Sequence, residues 1–131
     1  MLQQPISHKV LVVDDNQDAA TSLALLLTMA GYDARTAFDG AAAIRIVQAF
    51  HPEVCILDIN MPGMNGYELA RRIRKMEFNQ SLLLATVTAY GDGAHLDRAA
   101  EAGFDLHFTK PADVCDLIGQ LDECLGRNGA E

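Results

Sequence analysis

No stretch of this chain approaches the roughly 18 consecutive apolar residues of a membrane span, and the opening MLQQPISHKV lacks the apolar core of a secretory signal. Basic residues are scarce, 10 Lys and Arg against 18 Asp and Glu, for a formal net charge of −8. That balance argues against a direct nucleic-acid surface, because phosphate backbones are bound through clustered Lys and Arg. The cysteines Cys55, Cys115 and Cys124 are odd in number, widely spaced and without a CxxC pair. Disulfides and zinc sites are therefore disfavoured, and reduced thiols in a cytoplasmic setting are expected. Repeats and low-complexity segments are absent, and 131 residues leave no room for a second domain. The expectation is one domain over 1–131, with a core from about 8 to 126 and the short polar tails MLQQPISH and GRNGAE.

What is present is an alternation. Apolar runs at about 9–13, 34–38, 54–58, 82–88 and 105–109 are each followed by a helical pattern, the sequence form of a doubly wound α/β domain. Helix 1 is expected from an Asn16 N-cap to a stop at Gly31, burying Ala20, Leu23, Leu27 and Ala30. Helix 2 buries Ala43, Ile44, Val47 and Phe50 and ends before Pro52; helix 3 buries Leu69, Ile73 and Met76. Helix 5 follows Pro111, with Asp113 in its first turn and Val114, Leu117, Ile118, Leu121 and Leu125 inward. Helix 4, between Gly93 and Gly103 and rich in alanine, is expected to be the most mobile element. The basic cluster Arg71, Arg72, Arg74 and Lys75 reads as the solvated face of helix 3.

The apolar runs end in reactive side chains: VLVVDD in Asp14 and Asp15, VCILD in Asp58, LLLATVT in Thr88 and LHFTKP in Lys110. In an open parallel sheet all strands point their carboxyl ends at one rim, where ligands bind. The intervals from Asp58 to Thr88 and from Thr88 to Lys110 each suit one strand plus a crossover helix, and that from Asp15 to Asp58 suits two, which puts Asp58 on the third strand. Three carboxylates so placed repel one another by on the order of 4 kcal/mol per pair at 4 Å in an effective dielectric near 20, so a positive group must join them. Lys110 is one candidate and a divalent cation the other, with Mg²⁺ preferred over calcium or zinc for a few carboxylates and a carbonyl. A hydroxyl and an ammonium beside such a metal supply what a phosphoryl group needs, and the ionised carboxylate of Asp58 can serve as nucleophile. Singly, each residue has an ordinary reading: Asp14 and Asp15 as a turn, Thr88 as a strand former, Lys110 as a loop residue. Their joint placement is what carries the chemistry.

VLVVDDN, ILDINMPGMNG, TVTAYGD and FTKP, in this order and spacing, resemble the receiver domain of two-component response regulators over about 8–126, in the manner of chemotaxis regulators. The resemblance implies a flavodoxin-like five-stranded parallel sheet in order 2-1-3-4-5 with helices on both faces. It implies Asp58 as phosphoacceptor from a phosphohistidine of a histidine kinase or phosphotransfer domain. It also implies Mg²⁺ held by Asp14, Asp15, Asp58 and the backbone carbonyl of Asn60, with Thr88 and Lys110 on phosphoryl oxygens. Such a domain modifies itself and turns over no separate substrate, so it is not classed as an enzyme. Family likeness further implies a cis Lys110–Pro111 bond, a turn at Pro62, Gly63 and Gly66, and a partner or homodimer surface on helix 4, strand 5 and helix 5, near Ala94, Arg98, His107 and Cys115.

Two positions depart from the commonest pattern. His107 stands where most stand-alone regulators carry Tyr or Phe, as in receivers attached to hybrid sensor kinases, which puts a coupled aromatic switch in doubt. Tyr90, two residues after Thr88, is expected to hinder water and slow phosphoryl hydrolysis. A flavin-binding module of the same architecture would need a Ser, Thr and Gly-rich loop where Asp14-Asp15-Asn16-Gln17-Asp18 stands, and a phosphatase acting on outside substrates would need a cap that no insertion provides.

Overall fold

The hydrophobic runs do become strands. The computed structural model describes residues 8–76, 82–88, 93–110 and 113–126, with side chains in the third stretch from 97 onward. In chain order the elements are β1 (Lys9–Val13), α1 (Gln17–Met29), β2 (Asp33–Ala37), α2 (Gly40–Phe50), β3 (Val54–Asp58), α3 (Gly66–Arg74), β4 (Leu83–Thr88), α4 (Gly93–Ala102), β5 (Leu106–Thr109) and α5 (Val114–Leu125). The strands form one parallel sheet in the order β2-β1-β3-β4-β5, as the resemblance implied. A parallel sheet covered on both faces needs strands that are apolar throughout, and all five residues of β3 are buried.

Alternate strand residues feed two cores. Val10, Val12, Val54, Ile56, Ala85 and Phe108 pack with Ala20 and Leu27 of α1 and Leu117 and Leu121 of α5. Leu11, Val13, Cys55, Leu57 and Leu84 face the other way, onto Ala43 and Val47 of α2, Leu69 and Ile73 of α3, and Ala99 and Ala102 of α4. Burial pushes the Cys55 thiol up to about 12, which makes it inert core packing, while Cys115 and Cys124 are free and exposed on α5.

Side-chain caps mark four of the helix starts, of which Asn16 was expected as a cap. Asn16, Asp39, Asn65 and Asp113 each accept backbone N–H groups of the first turn. Asp113 is thus the N-cap of α5, one step outside the turn in which it was expected. The inward face of α1 also differs: Ala24 is buried and Ala30 is exposed, because the helix ends at Met29 and Ala30 turns away toward Gly31 (φ 102°). Leu23, Ile44, Met76, Val114, Ile118 and Leu125 sit at core margins, partly covered.

Arg74 is the main correction. It is not part of a solvated face: its guanidinium donates to the carbonyls of Leu82 and Gly103 and to the carboxylate of Asp105. It clamps the end of α3 onto the start of β4 and the turn before β5. Arg71, Arg72 and Lys75 are exposed as expected.

Candidate functional site

Parallel strands place their last residues on one rim, and the geometry of that rim can be read outward from β3. Asp58 closes β3 and is only 8% exposed. Asp14 and Asp15 follow β1, the neighbouring strand, and Asp14 is held there by its amide donating to the Ala37 carbonyl at 3.1 Å and its carboxylate accepting the Asn16 amide at 3.0 Å. Carboxylate oxygens of Asp14, Asp15 and Asp58 all lie within 4.8 Å of one another. On the other side, the Lys110 ammonium stands 3.4 Å from Asp58 Oδ1. Its backbone amide donates to the Thr88 carbonyl at 2.7 Å, so the end of β4 fixes where the lysine begins. Thr88 itself is buried at the end of β4.

Electrostatically the cluster is short of positive charge. Burial holds the Asp14 carboxyl above its ordinary range; the Asn16 amide opposes this, the nearby Asp58 charge adds to it, Lys110 opposes it and Asp15 adds to it. One ammonium, 44% exposed, faces three carboxylates. An all-oxygen donor set that converges to within 4.8 Å and lacks neutralising charge fits a hard divalent cation of the Mg²⁺ kind.

The loop after Asp58 is shaped by a close approach. Gly66, the first residue of α3, donates its amide to the Ile59 carbonyl at 2.9 Å, and a Cβ there would lie 2.5 Å from the Asp58 carbonyl oxygen. Only glycine lets α3 start this near the acceptor strand. Asn60 lies exposed in this loop, two residues beyond Asp58; Met61 is buried and Met64 packs on the α2–α3 core, so both methionines pack the loop. Thus Asp14, Asp15, Asp58 and Lys110 meet in space, with Thr88 on the adjoining strand end. His107 is partly buried on β5, in register with Thr86. Tyr90 and the Lys110–Pro111 bond lie outside the described residues, as does the side chain of Ala94.

Two features of the site region were not singled out from sequence. An apolar crevice of about 350 Å³ between α1 and α5, lined by Leu23, Leu26, Val114 and Leu117, opens onto Asp58 and Lys110. The signal for it was the apolar surplus on α1, where Leu26 stays exposed beside Leu23. On the opposite side, the Arg98 guanidinium lies 4.2 Å from the centroid of the Tyr67 ring, joining α4 to the start of α3. No local pattern predicts that pairing.

The model of the response regulator receiver domain matches residues 10–122. The transcriptional regulatory protein PrrA of Mycobacterium leprae is 35% identical over 126 residues, 95% of this chain and 52% of that protein. The chain spans about half the length of the curated relatives it matches. Among solved structures, the chemotaxis protein CheY4 of Vibrio cholerae superposes with a TM-score of 0.86 at 27% identity, over 91% of this chain and 99% of that one. A response regulator from Chloroflexus aurantiacus gives 0.85 at 32% identity, over 93% and 100%.

Proposed function

This chain belongs to the response regulator receiver family, and we propose that it acts as a phosphoacceptor whose acceptor is Asp58. The donor is a phosphohistidine on a histidine kinase or phosphotransfer domain. A carboxylate oxygen of Asp58 forms the new bond to phosphorus as the phosphorus–nitrogen bond breaks, and the electron pair leaves with the imidazole.

Asp14, Asp15 and Asp58, with the backbone carbonyl of Asn60, would hold Mg²⁺, which when bound supplies positive charge over the phosphoryl oxygens. The chain's own groups do the rest. Lys110 holds the Asp58 carboxylate in place before transfer and pairs with a phosphoryl oxygen after it. The Thr88 hydroxyl donates to another oxygen and fixes its orientation. The domain modifies itself and then signals. The observation that carries this reading is the convergence of three carboxylates within 4.8 Å on one rim with the Lys110 ammonium 3.4 Å from the most buried of them.

The test is incubation with acetyl phosphate, with and without Mg²⁺, followed by intact mass. One phosphoryl group should be gained in the presence of the metal, lost on chelation with EDTA before the reaction, and absent in Asp58→Asn. Uptake that persists in Asp58→Asn would move the acceptor elsewhere.

A further inference from the structure

Among the polar residues of the sheet interior, Thr86 is fully buried, 0% exposed, in the middle of the apolar run of β4. A hydroxyl taken out of water costs free energy unless it is bonded, and this one donates to the carbonyl of Leu57 at 2.9 Å. Leu57 precedes Asp58, so the carbonyl that Thr86 holds belongs to the peptide group leading into the acceptor.

The sheet register gives that bond its significance. Pairing between β1 and β3 runs only to Val13↔Leu57, whereas pairing between β3 and β4 continues through Leu57↔Thr86 to Asp58↔Val87. The register therefore runs one residue further against β4, to Asp58 itself, than it does against β1. Thr88 stands two residues beyond Thr86 and on the same face of β4. Its carbonyl receives the Lys110 amide at 2.7 Å. Asp58, Thr88 and Lys110 are thus all referred to β4, and a small slide of β3 along β4 would alter each separation together. Packing does not require threonine at this place: valine has the same branched shape and suits a strand interior equally.

We infer that Thr86 is a positioning residue for phosphoryl transfer, its hydroxyl locking β3 to β4 at the last rung before Asp58 and so setting the acceptor carboxylate against Thr88 and Lys110. This rests on the reading of Asp58 as the acceptor. A bond that merely stabilised the fold would change the folded fraction and leave the rate per folded molecule untouched.

The experiment compares wild type, Thr86→Val, Thr86→Ser and Asp58→Asn as full chains. It measures the rate of phosphorylation by acetyl phosphate at saturating Mg²⁺, by intact mass against time, normalised to the folded fraction from urea unfolding. Thr86→Val should be slowed about threefold to tenfold, since misplacement of reacting groups well under 1 Å already lowers rates. Thr86→Ser, which keeps the donor, should stay within about twofold of wild type. Should Thr86→Val fail to fold, Thr86→Ser and Thr86→Ala, which differ by the hydroxyl alone, carry the same comparison. Equal rates for wild type and Thr86→Val, or Thr86→Ser as slow as Thr86→Val, would overturn the positioning role while leaving the acceptor reading intact. A wild type that takes up no phosphoryl group would overturn both.

Discussion

Truncating Arg74 to alanine should lower the stability of the folded chain by about 2–4 kcal/mol, although the residue lies at the end of the sheet remote from the carboxylate cluster. The guanidinium donates through Nε and Nη2 to the Gly103 carbonyl at 3.0 and 2.8 Å, through Nη1 to the Leu82 carbonyl, and through Nη2 to Asp105. Asp105 is 44% exposed on its side chain, so water screens that ion pair and it contributes at most about 1 kcal/mol. The two carbonyls contribute about 1 kcal/mol each, and the rest comes from the aliphatic stem packed over Gly103. Lysine keeps the charge but offers a point donor in place of a fork, so Arg74→Lys should recover less than half of the loss. Urea unfolding is the assay: with a slope of about 2 kcal/mol/M, Arg74→Ala should lower the midpoint by about 1–2 M at unchanged slope. Gly103 supplies a second arm, because a Cβ there would meet Arg74 Cγ at 2.9 Å and the residue has φ +104°. Gly103→Ala should therefore cost more in wild type than in the Arg74→Ala background, where only the backbone strain is left. A midpoint drop below about 0.3 M for Arg74→Ala, or a lysine variant as stable as wild type, would refute the clamp.

Two further outcomes follow from single groups. Among the described residues the buried Tyr67 hydroxyl has no hydrogen-bond partner, so Tyr67→Phe should stabilise the protein by up to about 1 kcal/mol in thermal or urea unfolding; a loss of stability would reveal a bond that the hydroxyl makes. Because the folded-state pKa of Asp14 is raised, the metal-free native state binds that proton more tightly than the unfolded chain, and stability falls as pH rises from the ordinary carboxylate value through the folded one. Asp14→Asn should accordingly be more stable than wild type near neutral pH without metal and lose that advantage in acid. Magnesium should raise the unfolding midpoint of wild type more than that of the variant; equal responses would remove Asp14 from the metal site.

The rim was legible from sequence because each strand ends where its apolar run ends, and Asp14, Asp15, Asp58, Thr88 and Lys110 stand at those ends. Helix boundaries were legible where a cap residue marks them, as at Asn16. What escaped has one cause: local periodicity describes a helix or strand against itself and not against its neighbours. Arg74 shares its helical face with residues that are solvated, and only the fold brings Leu82, Gly103 and Asp105 within its reach. Ala24 and Ala30 are equivalent by composition, and the end of α1 at Met29 decides which is covered. Thr86 was one more β-branched residue in an apolar run until the register set its hydroxyl against Leu57.

The two ends of the sheet accordingly carry opposite electrostatics. At the amino ends of the strands, charges are paired: His8 with Glu53 at 2.7 Å, Arg74 with Asp105, and the cations of Lys9 and Arg35 against the Phe50 ring. At the carboxyl ends, three carboxylates face one lysine. A fold marginal by only about 5–15 kcal/mol can hold such a repulsive rim only if the remainder of the sheet is tied independently of it. The clamp at Arg74 and the rung at Thr86 supply such ties, one for the fold and one for the alignment of β3 with β4. Loss of the first should therefore lower stability at an unchanged rate per folded molecule. Loss of the second should lower the rate by more than its effect on stability explains. Measuring both quantities on both variants separates holding the sheet together from aiming the acceptor.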